Sequence, residues 1–147
     1  LQLIRDDLNK AQELINAPLN KVSIDLEREL EALVKTWAGA CDITFKIDAT
    51  VRDLIVADSN LAFCVNELSK EIVGNAFRHG GSNELHFSIE ASPDSTVELI
   101  ATSNGRPPES NPKPGVGLRM FDELSIAWSM VPNSTNVGAK VSLTLPL

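Results

Sequence analysis

Residues 67–79 read Glu67-Leu68-Ser69-Lys70-Glu71-Ile72-Val73-Gly74-Asn75-Ala76-Phe77-Arg78-His79. With the residues just before them they carry an apolar stripe: Leu61, Val65, Leu68, Ile72 and Ala76 fall at helical spacing. That pattern predicts one long amphipathic helix packed on a sheet. Successive helical residues are rotated by about 100°, so Glu71 and Asn75 come to the flank of the stripe, one turn apart. An amide oxygen in that place can ligate a hard divalent cation that keeps several waters. A carboxylate one turn away can accept a proton or orient a water. By itself the spacing also describes a solvated glutamate and a turn-forming asparagine, which is the commoner case.

Outward from this helix, Ser59 is the expected N-cap and the helix is expected to end near Arg78, with His79-Gly80-Gly81-Ser82-Asn83 as the turn that follows. Upstream, Ile43, Phe45 and Ile47 alternate with polar residues and predict a strand, while residues 49–58 read as irregular. Downstream, strands are expected at 85–91 and 97–102 around the turn Ser92-Pro93-Asp94. A Gly-, Pro-, Asn- and Ser-rich loop then covers 103–114, a short helix 118–124, and two strands 126–131 and 140–145. At the other end Leu1, Ile4, Leu8, Ala11 and Ile15 form a heptad seam of about two heptads, interrupted at Ala17-Pro18. Leu26, Leu30, Leu33 and Trp37 mark a second helix that Gly39 ends. The order of elements predicts a mixed sheet with helices on one face. Trp37 and Trp128 are read as core packing, Glu27, Glu29 and Glu31 as a solvated face, Lys70 as surface, and His86 as a strand residue without a chemical role.

The chain has 147 residues, 43% hydrophobic and 22% charged, with a formal net charge of −7. This suits one compact domain with a helical appendage. The negative balance argues against a nucleic-acid surface, which needs concentrated Lys and Arg. It leaves room for a single nucleotide. Cys41 and Cys64 stand far apart, without metal or redox spacing, and are expected reduced and buried in a cytoplasmic setting. No apolar run is long enough to span a bilayer. The chain opens directly in a helical pattern, as a piece of a longer parent, membrane-anchored or not, would.

Glycines supply the second signal. Asn104-Gly105-Arg106 follows a strand, and Gly115-Val116-Gly117-Leu118 precedes a helix. Glycines let a backbone approach a phosphate closely, and a helix N-terminus presents free N–H groups to it. In combination these segments resemble the ordered boxes of sensor histidine kinases. Residues 67–79 are similar to the Asn-bearing box, E-x-x-x-N-A-x-K/R-H. Ser103-Asn104-Gly105 stands where the family has D-x-G, Gly115-Val116-Gly117-Leu118 resembles the second glycine box, and Val137-Gly138-Ala139 resembles the final G-T element. The resemblance covers residues 39–147. Its short loop from Gly105 to Gly115 is like that of the short-lid branch, whose response regulators bind DNA.

The resemblance implies a two-layer α/β sandwich of the Bergerat (GHKL) ATPase type at 39–147, preceded at 1–38 by a helical linker left from a dimerisation region. It implies ATP and Mg2+ as cofactors. Asn75 would be the metal ligand and Glu71 the catalytic carboxylate. Arg78, His79, Gly115, Gly117 and Leu118 would lie near the phosphates, and Ser103, Gly105 and Gly138 on the adenine side. The γ-phosphate would pass to a histidine on a helix outside this chain, with a response regulator as the next partner and the N-terminal helix as a site for homodimer contact. Ser103 departs from the family pattern: it replaces a carboxylate that meets the adenine amino group, and its neutral hydroxyl forms a weaker hydrogen bond. Pro107 and Ala139 depart as well, in place of a glycine and a threonine. Two alternatives therefore stay open: an anti-sigma-factor serine kinase of the same fold, and a degenerate, non-catalytic interaction domain.

Overall fold

A computed structural model describes residues 24–107, 116–133 and 138–147. The heptad seam at Leu1 to Ile15 and the glycine at 115 lie outside the described residues. Within them the chain runs α1 (Leu26–Trp37), β1 (Asp42–Ile47), α2 (Ala49–Ala57), α3 (Ser59–Gly80), β2 (Glu84–Ser92), β3 (Thr96–Ser103), α4 (Val116–Leu124), β4 (Ala127–Pro132) and β5 (Ala139–Pro146).

The strands form one 5-stranded sheet in the order β1-β2-β3-β5-β4. β1 and β2 are parallel, and the other neighbours are antiparallel. The register lines up apolar rows across the sheet: Phe87 faces Ala101, which faces Val141, and Ile89 faces Leu99, which faces Leu143. These side chains are buried, whereas the alternate positions Thr44, His86, Glu90 and Lys140 are exposed. Because strand side chains alternate between faces, the sheet has one apolar face and one polar face. The helices cover the apolar face, giving the expected mixed-sheet α/β sandwich.

α3 is the central helix. Its stripe Leu61, Val65, Leu68 and Ile72 is buried as the periodicity predicts. Each such side chain stabilises by about 1.5–3 kcal/mol relative to exposure. α1 adds Leu26, Leu30 and Leu33 to the same core, and α4 adds Phe121, which is 0% exposed and meets Trp128 edge to face at 5.4 Å. Trp37 likewise packs edge to face on Phe77, at 5.2 Å. Burial, reinforced by the carboxylates of Asp58 and Glu67, pushes the Cys64 thiol up to about 11. Burial and then Asp42 raise Cys41 as well, and both cysteines are free.

Two local expectations are corrected. Residues 49–58 are not irregular: α2 spans Ala49–Ala57 and buries Val51 and Ile55. Two apolar residues one turn apart are too short a pattern to separate a helix from a loop by periodicity. The N-cap of α3 is Asp58, not Ser59: one Asp58 carboxylate oxygen, Oδ1, accepts the N–H groups of Asn60 and Leu61, each at 3.1 Å. A carboxylate also meets the positive end of the helix dipole, which a hydroxyl does less well. Replacing Asp58 by Ala is expected to lower unfolding free energy by about 1 kcal/mol, while Ser59→Ala changes it by under about 0.5 kcal/mol, both measured by urea denaturation.

Candidate functional site

The β2–β3 register sets Ser103 opposite Leu85, on the apolar face at the end of the sheet. Ser103 is buried there. Its hydroxyl accepts the Ala139 N–H at 3.2 Å and donates to the Ala139 carbonyl at 3.5 Å. The last backbone pair between β3 and β5 is Thr102 with Lys140, so this hydroxyl adds a side-chain rung just beyond the ladder. Gly138, at φ +87, lies so close that a Cβ would sit 1.7 Å from the Ser103 carbonyl oxygen. Only glycine fits that backbone conformation and that contact together.

The chain then turns onto the C-terminal end of α3. Asn104 holds the turn: its Oδ1 accepts the N–H groups of Asn83 at 3.2 Å and Glu84 at 3.1 Å, and its Nδ2 donates to Asn83 Oδ1 at 2.6 Å. At Gly105 an added Cβ would lie 2.3 Å from both the Gly80 carbonyl oxygen and Ser82 Oγ. The next residue, Arg106, donates its N–H to that same Gly80 carbonyl at 2.7 Å. The first glycine segment, the last glycine element and the end of the asparagine-bearing helix thus meet at one end of the sheet.

On α3 itself, Glu71 keeps 20% of its side chain exposed. Asn75 is half-buried, and its side chain makes no hydrogen bond among the described residues. Arg78 does not extend from the helix. Its Nε donates to the Gly74 carbonyl at 3.1 Å, and its Nη2 lies 3.9 Å from Glu71 Oε1. His79 is exposed. Gly117 falls in the first turn of α4, which packs against α3, and Leu118 is half-buried against the core. His86 stays out of the site, bonded on the polar face to Thr44 and Glu84. Lys70 is exposed and pairs with Glu67.

Glu67 and Glu71 lie one turn apart on α3, and each has a cationic neighbour, Lys70 at 3.6 Å and Arg78 at 3.9 Å. Among the described residues no group of three or more His, Cys, Asp or Glu is arranged as a metal cage. A free amide oxygen beside a carboxylate instead fits a cation that takes most of its ligands from water and from substrate phosphates, the habit of Mg2+. Residue-by-residue reading missed Asn104, whose signal was hidden inside an Asn-Gly turn, and Gly74, which carried no signal at all.

No protein-family model and no curated protein matches the chain. Solved structures do. A blue-light activated histidine kinase from Erythrobacter litoralis, EL346, is similar with a TM-score of 0.65 and 16% identity, over 83% of this chain and 40% of that one. The histidine kinase AdeS of Acinetobacter baumannii is similar with a TM-score of 0.58 and 12% identity, over 96% of this chain and 75% of that one. The ATP binding domain of PrrB from Mycobacterium tuberculosis is similar with a TM-score of 0.54 and 17% identity, over 82% of this chain and 90% of that one. The chain thus spans about 40% of the length of the Erythrobacter protein. At these identities the likeness shows the fold, which is that of the sensor histidine kinase ATP-binding domain.

The close approach at Gly138 separates two effects. Gly39 has a similar φ of +92 but open space around its Cβ direction. Gly39→Ala is expected to cost about 1 kcal/mol from backbone strain alone. Gly138→Ala should cost at least about 1 kcal/mol more, because β3 and β5 must part to admit the methyl group. Urea unfolding of the two variants side by side measures the difference.

Proposed function

We propose that this chain is the ATP-binding catalytic domain of a two-component sensor histidine kinase, acting in the cytoplasm on a histidine carried by a helix outside the chain. The observation that carries the reading is the half-buried, unpartnered amide of Asn75 beside Glu71, on the central helix of a fold shared with histidine kinase ATP-binding domains. Residues 1–38 would lead from the dimerisation region, with α1 docked into the core of the catalytic domain, and the next partner would be a response regulator.

In this reading the Asn75 Oδ1 is the protein's ligand to Mg2+. When bound, that ion neutralises charge on the nucleotide phosphates. Glu71 accepts the proton from the attacking imidazole or orients it. Gly117, in the first turn of α4, would face the phosphates, while Gly105 and Gly138 allow the tight backbone packing that would shape the base end. Arg78 and His79 stand at the mouth of the site, and Leu118 fixes α4 to the core. Phosphoryl transfer depends mainly on positioning and charge stabilisation, and these residues provide both without forming a covalent bond to substrate.

The Ser103 hydroxyl is already engaged with the Ala139 backbone. Weak recognition of the base follows, and this one feature favours the reading of a domain with reduced nucleotide affinity over that of a tight ATPase.

Two expectations test the reading. Asn75→Ala should remove the Mg2+-dependent part of ATP affinity while leaving the thermal unfolding of the chain within about 2 °C, since the amide has no partner to lose. An unchanged Mg2+-ATP affinity, read by calorimetric titration, would reject the metal assignment. Ser103→Asp can still accept the Ala139 N–H, and it adds a charged acceptor for an exocyclic amino group. It should tighten ATP and ADP binding about three- to tenfold, under ~1.4 kcal/mol, after its desolvation cost. GTP, which offers a carbonyl in that place, should gain much less. Equal gains for all three nucleotides would place Ser103 away from the base.

A further inference from the structure

Gly74 lies in the interior of the 22-residue helix α3, where glycine is less favourable than alanine. The backbone does not call for it, because Gly74 is not among the glycines with positive φ. What does call for it is Arg78. The three atoms nearest to a Cβ at Gly74 are Arg78 Nη2 at 3.1 Å, Cζ at 3.7 Å and Nε at 3.8 Å. The guanidinium lies over the bare Cα, donates from Nε to the Gly74 carbonyl at 3.1 Å, and turns Nη2 toward Glu71 Oε1 at 3.9 Å.

We infer that Gly74 is the seat of a switch: it lets Arg78 lie across the helix with its guanidinium turned to the Glu71 carboxylate until a phosphate-bearing ligand draws the guanidinium away. This rests on the reading of the site as a nucleotide site. A guanidinium grips a phosphate best through two parallel N–H groups. With Nε on a carbonyl and Nη2 facing a carboxylate, the side of the group that these atoms form is not free for a phosphate. Engaging a phosphate bidentately from that side therefore removes Arg78 from Glu71. The seated arrangement is soft, because the Arg78 side chain is 61% exposed and exposed pairs are weak. A ligand of ordinary affinity shifts it. Glu71, the candidate proton acceptor, thus faces a guanidinium before the ligand binds and loses that neighbour afterwards. Gly74 is a positioning residue here, acting only through Arg78.

The test uses the whole 147-residue chain and two readouts. In the nucleotide-free protein the Arg78 Nε–H resonance should be protected from solvent exchange, and it should shift on adding Mg2+ and ATP. Gly74→Ala crowds Nη2, which a Cβ would meet at 3.1 Å, and so weakens the seated pose. It should reduce that protection, raise the melting temperature by about 2–5 °C as alanine replaces a helix-interior glycine, and tighten Mg2+-ATP binding by up to about twofold, because the competing pose is less favoured. In an Arg78→Ala background the same Gly74→Ala change should still raise the melting temperature but should leave nucleotide affinity unchanged. Tightening that persists without Arg78, or no tightening with it, overturns the switch. So does an Arg78 Nε–H signal that ATP does not move although ATP binds. A wild-type chain that binds no nucleotide at all overturns the nucleotide reading, and the switch falls with it.

Discussion

The Gly105 backbone lies against the end of α3 so closely that a methyl group would sit 2.3 Å from the Gly80 carbonyl oxygen. That contact, tied by the Arg106 N–H and the three side-chain hydrogen bonds of Asn104, fixes where β3 ends relative to the central helix. Everything at this end of the molecule depends on it. The apolar stripe of α3 decides that the helix lies on the sheet. The Gly80–Gly105 contact sets the C-terminal end of that helix against the end of the sheet that carries Ser103 and Gly138. Two close backbone approaches, of Gly105 to Gly80 and of Gly138 to Ser103, pack this end of the sheet tightly.

The departures from the family pattern acquire physical content in this setting. Ser103 does not simply lack a charge. Its hydroxyl is spent on the Ala139 main chain, where it prolongs the β3–β5 ladder by one rung. Ala139 supplies no hydroxyl of its own. Ser103 is therefore a structural joint between β3 and β5. The opposite end keeps its polar groups: Asn75 is free, and Glu71 and Arg78 face each other.

Much of this was legible in the sequence, and what was not has definite causes. The stripe of α3 and the alternation of β2 and β3 are long, regular patterns, and the fold keeps both. α2 was illegible because Val51 and Ile55 alone cannot set a period. The cap of α3 was off by one because Asp58 and Ser59 are both good caps, and only backbone dihedrals choose between them. The Ser103–Ala139 rung joins residues 36 apart in sequence and depends on strand register, which no local pattern carries. The pose of Arg78 across Gly74 is a matter of rotamer space, which no sequence pattern carries.

The central claim is that the convergent end of α3, β3 and β5 binds a nucleotide through Mg2+. A 1H–15N titration of the whole chain with Mg2+ and a non-hydrolysable ATP analogue tests it most directly. The account predicts that the largest shifts fall on the Asn75 side-chain amide and on the backbone amides of residues 103–106 and 138–139, and that omitting Mg2+ removes the Asn75 shift. No shifts at ~1 mM analogue, or shifts confined to the polar sheet face around Thr44 and His86, would contradict it.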